Sequence, residues 1–123
     1  MPFISLLSIL LFMLLPAQPQ DSAVEWLGST EIELGEINYQ EPVSIRFPFR
    51  NVSDKPLTID NVRTRCGCTS PNWSEVAVAP GDTSSILIVY DADKMGYFKE
   101  WVRVFFHKQR RPERLWIEGE VVN

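Results

Sequence analysis

The chain has 123 residues, 45% of them hydrophobic, and a formal net charge of −4. This length suits a single domain, and the acidic balance disfavours general binding to nucleic acid. Two cysteines and one histidine are too few for a disulfide-rich scaffold or for a four-ligand zinc site built from these residue types.

The chain begins with an apolar segment, residues 3–15, in which Ser5 and Ser8 are the only polar residues. A spanning helix needs about 20 apolar residues, so this shorter segment is typical of the core of a signal peptide. No basic residue precedes it and no A-x-A motif follows it, which leaves a retained anchor, a short buried segment or a misplaced start as alternatives. We expect residues 1–20 to be a signal peptide and the mature chain, in the periplasm or associated with the envelope, to contain no spanning segment.

From residue 24 onward, apolar residues recur with period two, which predicts β-strands that are buried on one face. Pro48 lies within one of these segments, and its missing N–H predicts an edge strand or a bulge. Residues 84–90 are almost wholly apolar, which predicts a central strand covered on both faces. The predicted strands are residues 30–34, 43–50, 57–65, 75–78, 84–90, 97–107 and 114–122.

This spacing of strands and turns predicts an all-β, immunoglobulin-like sandwich of about seven antiparallel strands over residues 24–123. Charge is unevenly distributed along it. Residues 21–45 contain six acidic residues and no basic residue, whereas residues 94–123 contain seven basic and four acidic residues. We expect the early acidic residues to pair with the late basic residues across neighbouring strands, rather than to leave a basic docking face.

Seven short motifs occur in order between residues 31 and 121. They are F-x-F-x-N at 47–51, P-L-x-I at 56–59, C-G-C-T at 66–69, A-P-G-D at 79–82, V-Y-D at 89–91, M-G-Y-F at 95–98 and L-W-I-E-G-E-V at 115–121. This ordered set resembles domain of unknown function (DUF) family 1573, small exported bacterial proteins common in Bacteroidetes. The resemblance implies an immunoglobulin-like fold related to ASH, hydin and major-sperm-protein domains. It implies no activity, because the family has no established one.

Both cysteines, Cys66 and Cys68, lie in the run RTRCGCTSP at residues 63–71. In an extended strand their Cα atoms would be about 7 Å apart, at the limit for a disulfide. Gly67 between them can adopt a positive φ, which would fold the pair together. Four states remain open: a local disulfide, two buried thiols, half of a metal site, or an intermolecular disulfide.

Catalysis and metal binding have less support in the sequence. Two thiolates and the distant His107 fall short of the four ligands of structural zinc, although Cu(I) can be held by two thiolates. No spacing indicates a nucleophile beside a base, so we predict no enzyme, no cofactor and no metal. The basic turn from Lys108 to Arg114 is interpreted as a solvated hairpin tip, not as a nucleic-acid site.

Three tryptophans complete the candidate surface. Trp73 follows Pro71-Asn72 in a predicted loop close to the cysteines. Trp101 and Trp116 fall on strand faces opposite, or mixed with, the main apolar set. If both are exposed on one sheet they form an aromatic docking patch; alternatively, the packed sheets bury one and half-cover the other.

The sequence therefore predicts a non-catalytic exported domain that docks another protein or an envelope component, or supports an assembly. The alternative is a thiol-redox or copper-handling module centred on the two cysteines. The residues assigned to the docking surface are Cys66, Gly67, Cys68, Trp73, Trp101 and Trp116.

Overall fold

The computed structural model describes residues 22–123; the predicted signal peptide lies outside the described residues. The described part contains eight strands. They are β1 (Val24–Trp26), β2 (Glu31–Asn38), β3 (Val43–Asn51), β4 (Ile59–Thr64), β5 (Thr69–Trp73), β6 (Thr83–Tyr90), β7 (Gly96–Phe106) and β8 (Glu113–Val122). Over these residues we find no helix with the length and apolar character needed to cross a bilayer.

The strands form two four-stranded sheets packed face to face. The first sheet has the order β1-β3-β6-β5, and the second has the order β2-β8-β7-β4. Neighbouring strands are antiparallel, except that β2 runs parallel to β8. The predicted immunoglobulin-like sandwich is confirmed, with eight strands instead of seven.

The core lies between the two sheets and follows from the period-two pattern. Each strand turns alternate residues inward, because successive side chains point to opposite faces of a sheet. Phe47 and Phe49 on β3, and Val102 and Val104 on β7, are 1% exposed or less. Aromatic contacts close both ends of the core: Phe49 packs edge-on against Phe106, and at the opposite end Tyr90 stacks on Phe98 with ring centroids 3.9 Å apart.

The strand prediction was wrong for residues 69–78, which contain the fifth strand and the segment after it. Residues 69–73 form β5, whereas the predicted strand at residues 75–78 contributes only one isolated bridge, between Leu57 and Val78. The sequence TSPNW at residues 69–73 lacks the apolar alternation that predicts a strand, so β5 was missed. Pro71 is tolerated in this strand because β5 is an edge strand. β6 is central as predicted, but the outward Leu87 and Val89 are only half-buried.

Pro48 lies neither on an edge strand nor at a bulge, because β3 runs between β1 and β6 with an unbroken register. Its carbonyl accepts a hydrogen bond from the Leu27 N–H at 2.9 Å, immediately after β1 ends. In antiparallel strands the N–H and C=O of one residue point to the same side. The missing N–H of Pro48 therefore faces Leu27, immediately beyond the end of the three-residue β1, and not the central strand β6.

The expected pairing of early acidic with late basic residues was also wrong. The parallel register places Glu33 opposite Glu118 and Glu36 opposite Glu120. The acidic β2 thus lies beside the acidic half of β8, while the basic residues lie near the start of β8 and in the turn before it. Like charges directly opposite one another are destabilising, so these two glutamate pairs oppose the pairing of β2 with β8.

Candidate functional site

The two cysteines lie in a tight turn that links the two sheets. β4 ends at Thr64 in the second sheet, β5 begins at Thr69 in the first, and the Thr69 N–H closes the turn on the Cys66 carbonyl at 3.2 Å. Cys66 and Cys68 form a disulfide with a Cα–Cα distance of 5.1 Å, within the usual range for such bonds. Of the four states left open by the sequence, the structure contains the local disulfide.

The role expected for Gly67 was wrong. Its φ is not among the positive values found at glycines of this chain, so the turn closes without a left-handed residue. A Cβ built on Gly67 would meet no atom within 4 Å. The hydrogen-bonded turn from Cys66 to Thr69, not the freedom of glycine, therefore brings the cysteines together.

Glu100 joins the cysteines from a distant part of the chain. It occupies an inward position of β7 between the buried Phe98 and Val102, and its side chain is only 13% exposed. One of its carboxylate oxygens and the sulfurs of Cys66 and Cys68 all lie within 4.8 Å of one another. The sequence interpretation overlooked Glu100, although a charged residue at an inward position of a period-two strand is the signal that could have revealed it.

Charged and aromatic side chains surround this cluster. Arg65 Nη2 is 3.4 Å from Glu100 Oε2, and a cavity of about 260 Å³ beside the disulfide is also lined by Lys94 and Tyr90. Burial raises the pKa of Tyr90, and the negative charges of Asp91 and Glu100 raise it further. The tyrosine therefore stays a neutral hydroxyl beside the disulfide at ordinary pH.

The outward face of the second sheet carries the other two candidate tryptophans. Trp101 on β7 lies directly opposite Trp116 on β8, and both rings are half-buried. The Arg103 guanidinium lies 4.3 Å from the centre of the Trp101 ring, and the Lys99 ammonium lies 5.3 Å from that of Trp116. These are cation–π distances, so each tryptophan is partly covered by a cation.

An arginine row crosses this face next to the tryptophan pair. Arg63, Arg103 and Arg114 lie directly opposite one another on β4, β7 and β8. The close contacts of basic side chains with carboxylates found between residues 22 and 123 come from Arg65 and His107, not from this row. The turn at the same end of the sheet carries three more basic residues, Lys108, Arg110 and Arg111.

The opposite end of the face is acidic. There the Tyr97 hydroxyl donates a hydrogen bond to Glu118 Oε2 at 2.6 Å. This bond lowers the pKa of Glu118, because it stabilises the carboxylate, and raises the pKa of Tyr97. The face is therefore polarised, with an arginine row, a tryptophan pair and an acidic end in that order.

Trp73 and His107 belong neither to the cluster of Cys66, Cys68 and Glu100 nor to the outward face of the second sheet. Trp73 is the last residue of β5 and lies opposite Ile86, half-buried against the core. It is thus about 13 Å along the strand from the cysteine turn, not in a loop close to it as predicted. His107 is exposed beyond the end of β7, with Nδ1 3.1 Å from Asp60.

The sandwich is similar to several solved structures. One is a protein of unknown function from Porphyromonas gingivalis W83, with a TM-score of 0.69 and 20% identity over 80% of this chain and 46% of that one. Another is the ASH / PapD-like domain 7 of human CEP192, with a TM-score of 0.72 and 10% identity over 89% of this chain and 93% of that domain. A third is the VesB protease of Vibrio cholerae, with a TM-score of 0.65 and 17% identity over 80% of this chain and 32% of the protease.

These likenesses establish the fold and nothing further at such identities. This chain spans less than half the length of the Porphyromonas protein, at 46%. Among curated proteins, none matches the sequence significantly. A family model does match residues 26–121, and the chain belongs to the family that this model describes, "Protein of unknown function (DUF1573)".

Proposed function

We propose that this chain is a non-catalytic exported domain of the bacterial envelope that docks a protein partner through the outward face of its second sheet. We call this surface the docking face and define it by Arg63, Arg103, Arg114, Trp101 and Trp116. The observation that carries the proposal is the arginine row, three neighbouring cations beside an aromatic pair.

The charges of the docking face indicate the chemistry of its partner. Like charges on adjacent strands repel one another, so the three arginines of the row repel. None of the salt bridges found over residues 22–123 involves Arg63, Arg103 or Arg114. Carboxylates of a partner would relieve this repulsion and accept paired hydrogen bonds from the guanidinium groups. Tryptophan and arginine are also the residues most often central to protein interfaces, so the partner presents carboxylates over the row and an apolar group over the tryptophan pair.

The groups most suited to catalysis lie apart from one another, which supports a non-catalytic role. His107 is bound to Asp60 in solvent, and Cys66 and Cys68 are joined to each other. Within residues 22–123, neither cysteine is therefore a free thiolate activated by the histidine, as nucleophilic catalysis by a Cys–His pair requires.

Photo-cross-linking in cells tests the docking face. A photoreactive amino acid replaces Lys99 or Glu31, both exposed and next to the tryptophan pair, or replaces Ser44 or Arg46, both exposed on the outward face of the other sheet. We expect Lys99 and Glu31 to cross-link to one shared protein, with the product reduced by Arg103→Glu, and Ser44 and Arg46 to give none. Cross-links to a second copy of the chain, or equal products from both faces, would contradict the proposal.

Thiol redox chemistry is the second candidate, favoured by a half-exposed disulfide beside a cavity lined by Arg65 and Lys94. Replacing both cysteines by serine distinguishes the two functions. The double variant keeps its cross-link from Lys99 if the domain docks through the sheet face. Loss of cellular function with that cross-link intact would favour the redox candidate.

A further inference from the structure

The ligand count that argued against a metal changes once the chain is folded. The sequence offers two thiols and one distant histidine, but the fold adds the Glu100 carboxylate to the thiols. Three potential ligand atoms, from Cys66, Cys68 and Glu100, lie within 4.8 Å of one another. Atoms bound to one tetrahedral zinc ion, with bonds of 2.0–2.3 Å, are about 3.5–3.8 Å apart. To bind one zinc ion, the Glu100 carboxylate oxygen would have to move about 1 Å closer to the sulfurs. The two sulfurs, which are bonded to each other in the disulfide, would have to move apart.

Glu100 is poorly partnered for a carboxylate in its position. Its side chain is 13% exposed and faces the core, where an ionised group needs compensation. Arg65, itself 60% exposed, donates the one hydrogen bond found to this carboxylate over residues 22–123, at a long 3.4 Å. Such an exposed contact contributes little, so the Glu100 carboxylate can exchange it for a bond to an ion at little cost.

We propose that the reduced form of this domain binds a zinc ion through Cys66, Cys68 and Glu100. Two thiolates and one carboxylate leave a fourth tetrahedral position open to water or to a group from outside, as in zinc sites with three protein ligands. This site is separate from the docking face. Glu100 points inward from β7 and the disulfide lies in the turn between β4 and β5, whereas the tryptophan pair lies on the outward face of the second sheet.

The reaction that opens the site balances with a dithiol as the reductant. The Cys66–Cys68 bond accepts two electrons and two protons and becomes two thiols, while the dithiol becomes a disulfide. Zinc then displaces the two thiol protons and binds the sulfurs. Oxidation of the thiols releases the ion, so zinc occupancy follows the redox state of the pair.

Zinc titration of the reduced protein tests the site. The domain is reduced anaerobically with a water-soluble phosphine, and zinc affinity is measured by competition with a chromophoric chelator. Glu100→Gln should weaken binding roughly 100-fold, the upper range seen even for groups that only support metal ligands. The matched control Glu120→Gln changes an exposed carboxylate on β8 and should leave the affinity unchanged.

Two further measurements keep the result unambiguous. Cadmium should give a thiolate charge-transfer band in the wild-type protein and none after Cys66→Ser and Cys68→Ser, with circular dichroism verifying that each variant is folded. Cu(I), which needs only two thiolates, should bind the wild type and Glu100→Gln alike. Equal zinc affinity of the wild type and Glu100→Gln, or zinc binding by the oxidised protein, would overturn the proposal.

Discussion

Replacing Gly119 by alanine tests the packing of the two sheets most sharply. Gly119 lies at an inward position of β8, where an added Cβ would be 2.9 Å from the Gly35 carbonyl oxygen and 3.0 Å from the Phe98 ring. Neither neighbour can yield easily. The first is backbone, and Phe98 is held by its stacking on Tyr90 with centroids 3.9 Å apart.

The expected loss in the free energy of unfolding is the difference between the cost of overpacking and the gain from restricting the unfolded chain. Overpacking a core costs about 1–3 kcal/mol, and a main-chain contact places this site near the upper end. Alanine recovers about 0.4–1 kcal/mol by restricting the unfolded chain. Gly119→Ala should therefore lower the free energy of unfolding by about 2 kcal/mol, or the melting temperature by roughly 8–16 °C for a domain of this size.

Urea unfolding followed by tryptophan fluorescence measures this change, and Gly67→Ala is the matched control. Gly67 has open space around its Cβ position and a φ that other residues adopt, so the control should gain about 0.5 kcal/mol and keep its disulfide. Equal stability of the two variants would refute the packing described for β8. Loss of the disulfide in Gly67→Ala would restore the role first expected for that glycine.

Three further predictions concern single groups. Asn51→Ala removes a buried side chain that donates to two main-chain carbonyls at 2.8 and 2.9 Å, and should cost about 3 kcal/mol in urea unfolding; a loss below about 1 kcal/mol would contradict these bonds. Tyr97→Phe removes the hydrogen bond that lowers the pKa of Glu118, so NMR titration should find that pKa raised. Because a lowered folded-state pKa stabilises at neutral pH and that stability is lost on acidification, the variant should lose less stability as the pH falls; an unchanged profile would count against the bond. Serine at both Cys66 and Cys68 should cost only about 1.5 kcal/mol, since the bond closes a ring of about three residues; unfolding of the variant would contradict this.

The strands could be predicted because their alternation is local. The period-two alternation that turns Phe47, Phe49, Val102 and Val104 inward was predicted for both of their strands, since a period of two follows from the pleat itself. Pairing between distant strands is not local, so the parallel register that sets Glu33 opposite Glu118 could not be derived from composition or spacing.

The candidate site, too, could be predicted only where its residues are close in sequence. Cys66 and Cys68 were recognised because only Gly67 separates them in sequence, whereas Glu100 was missed because only the packing of β7 near the cysteine turn brings it close. Trp101 and Trp116 were expected on faces opposite, or mixed with, the main apolar set, and their exposure was left open; in the structure both are half-buried on the outward face of the second sheet. That they lie directly opposite one another depends on the register of the β7–β8 hairpin, which the turn sequence alone does not specify.

The affinity of the cross-linked partner tests the docking face most directly. The partner is titrated with wild-type domain, with Arg103→Glu plus Arg114→Glu, and with Arg46→Glu plus Arg50→Glu, which reverses two exposed arginines on the other sheet. We predict that the first pair weakens binding by about 100-fold or more and reduces its dependence on salt, since buried charge pairs of this kind contribute several kcal/mol. The second pair should leave affinity within about twofold, because exposed charges away from an interface contribute little. Equal losses from the two pairs, or none from either, would contradict the account.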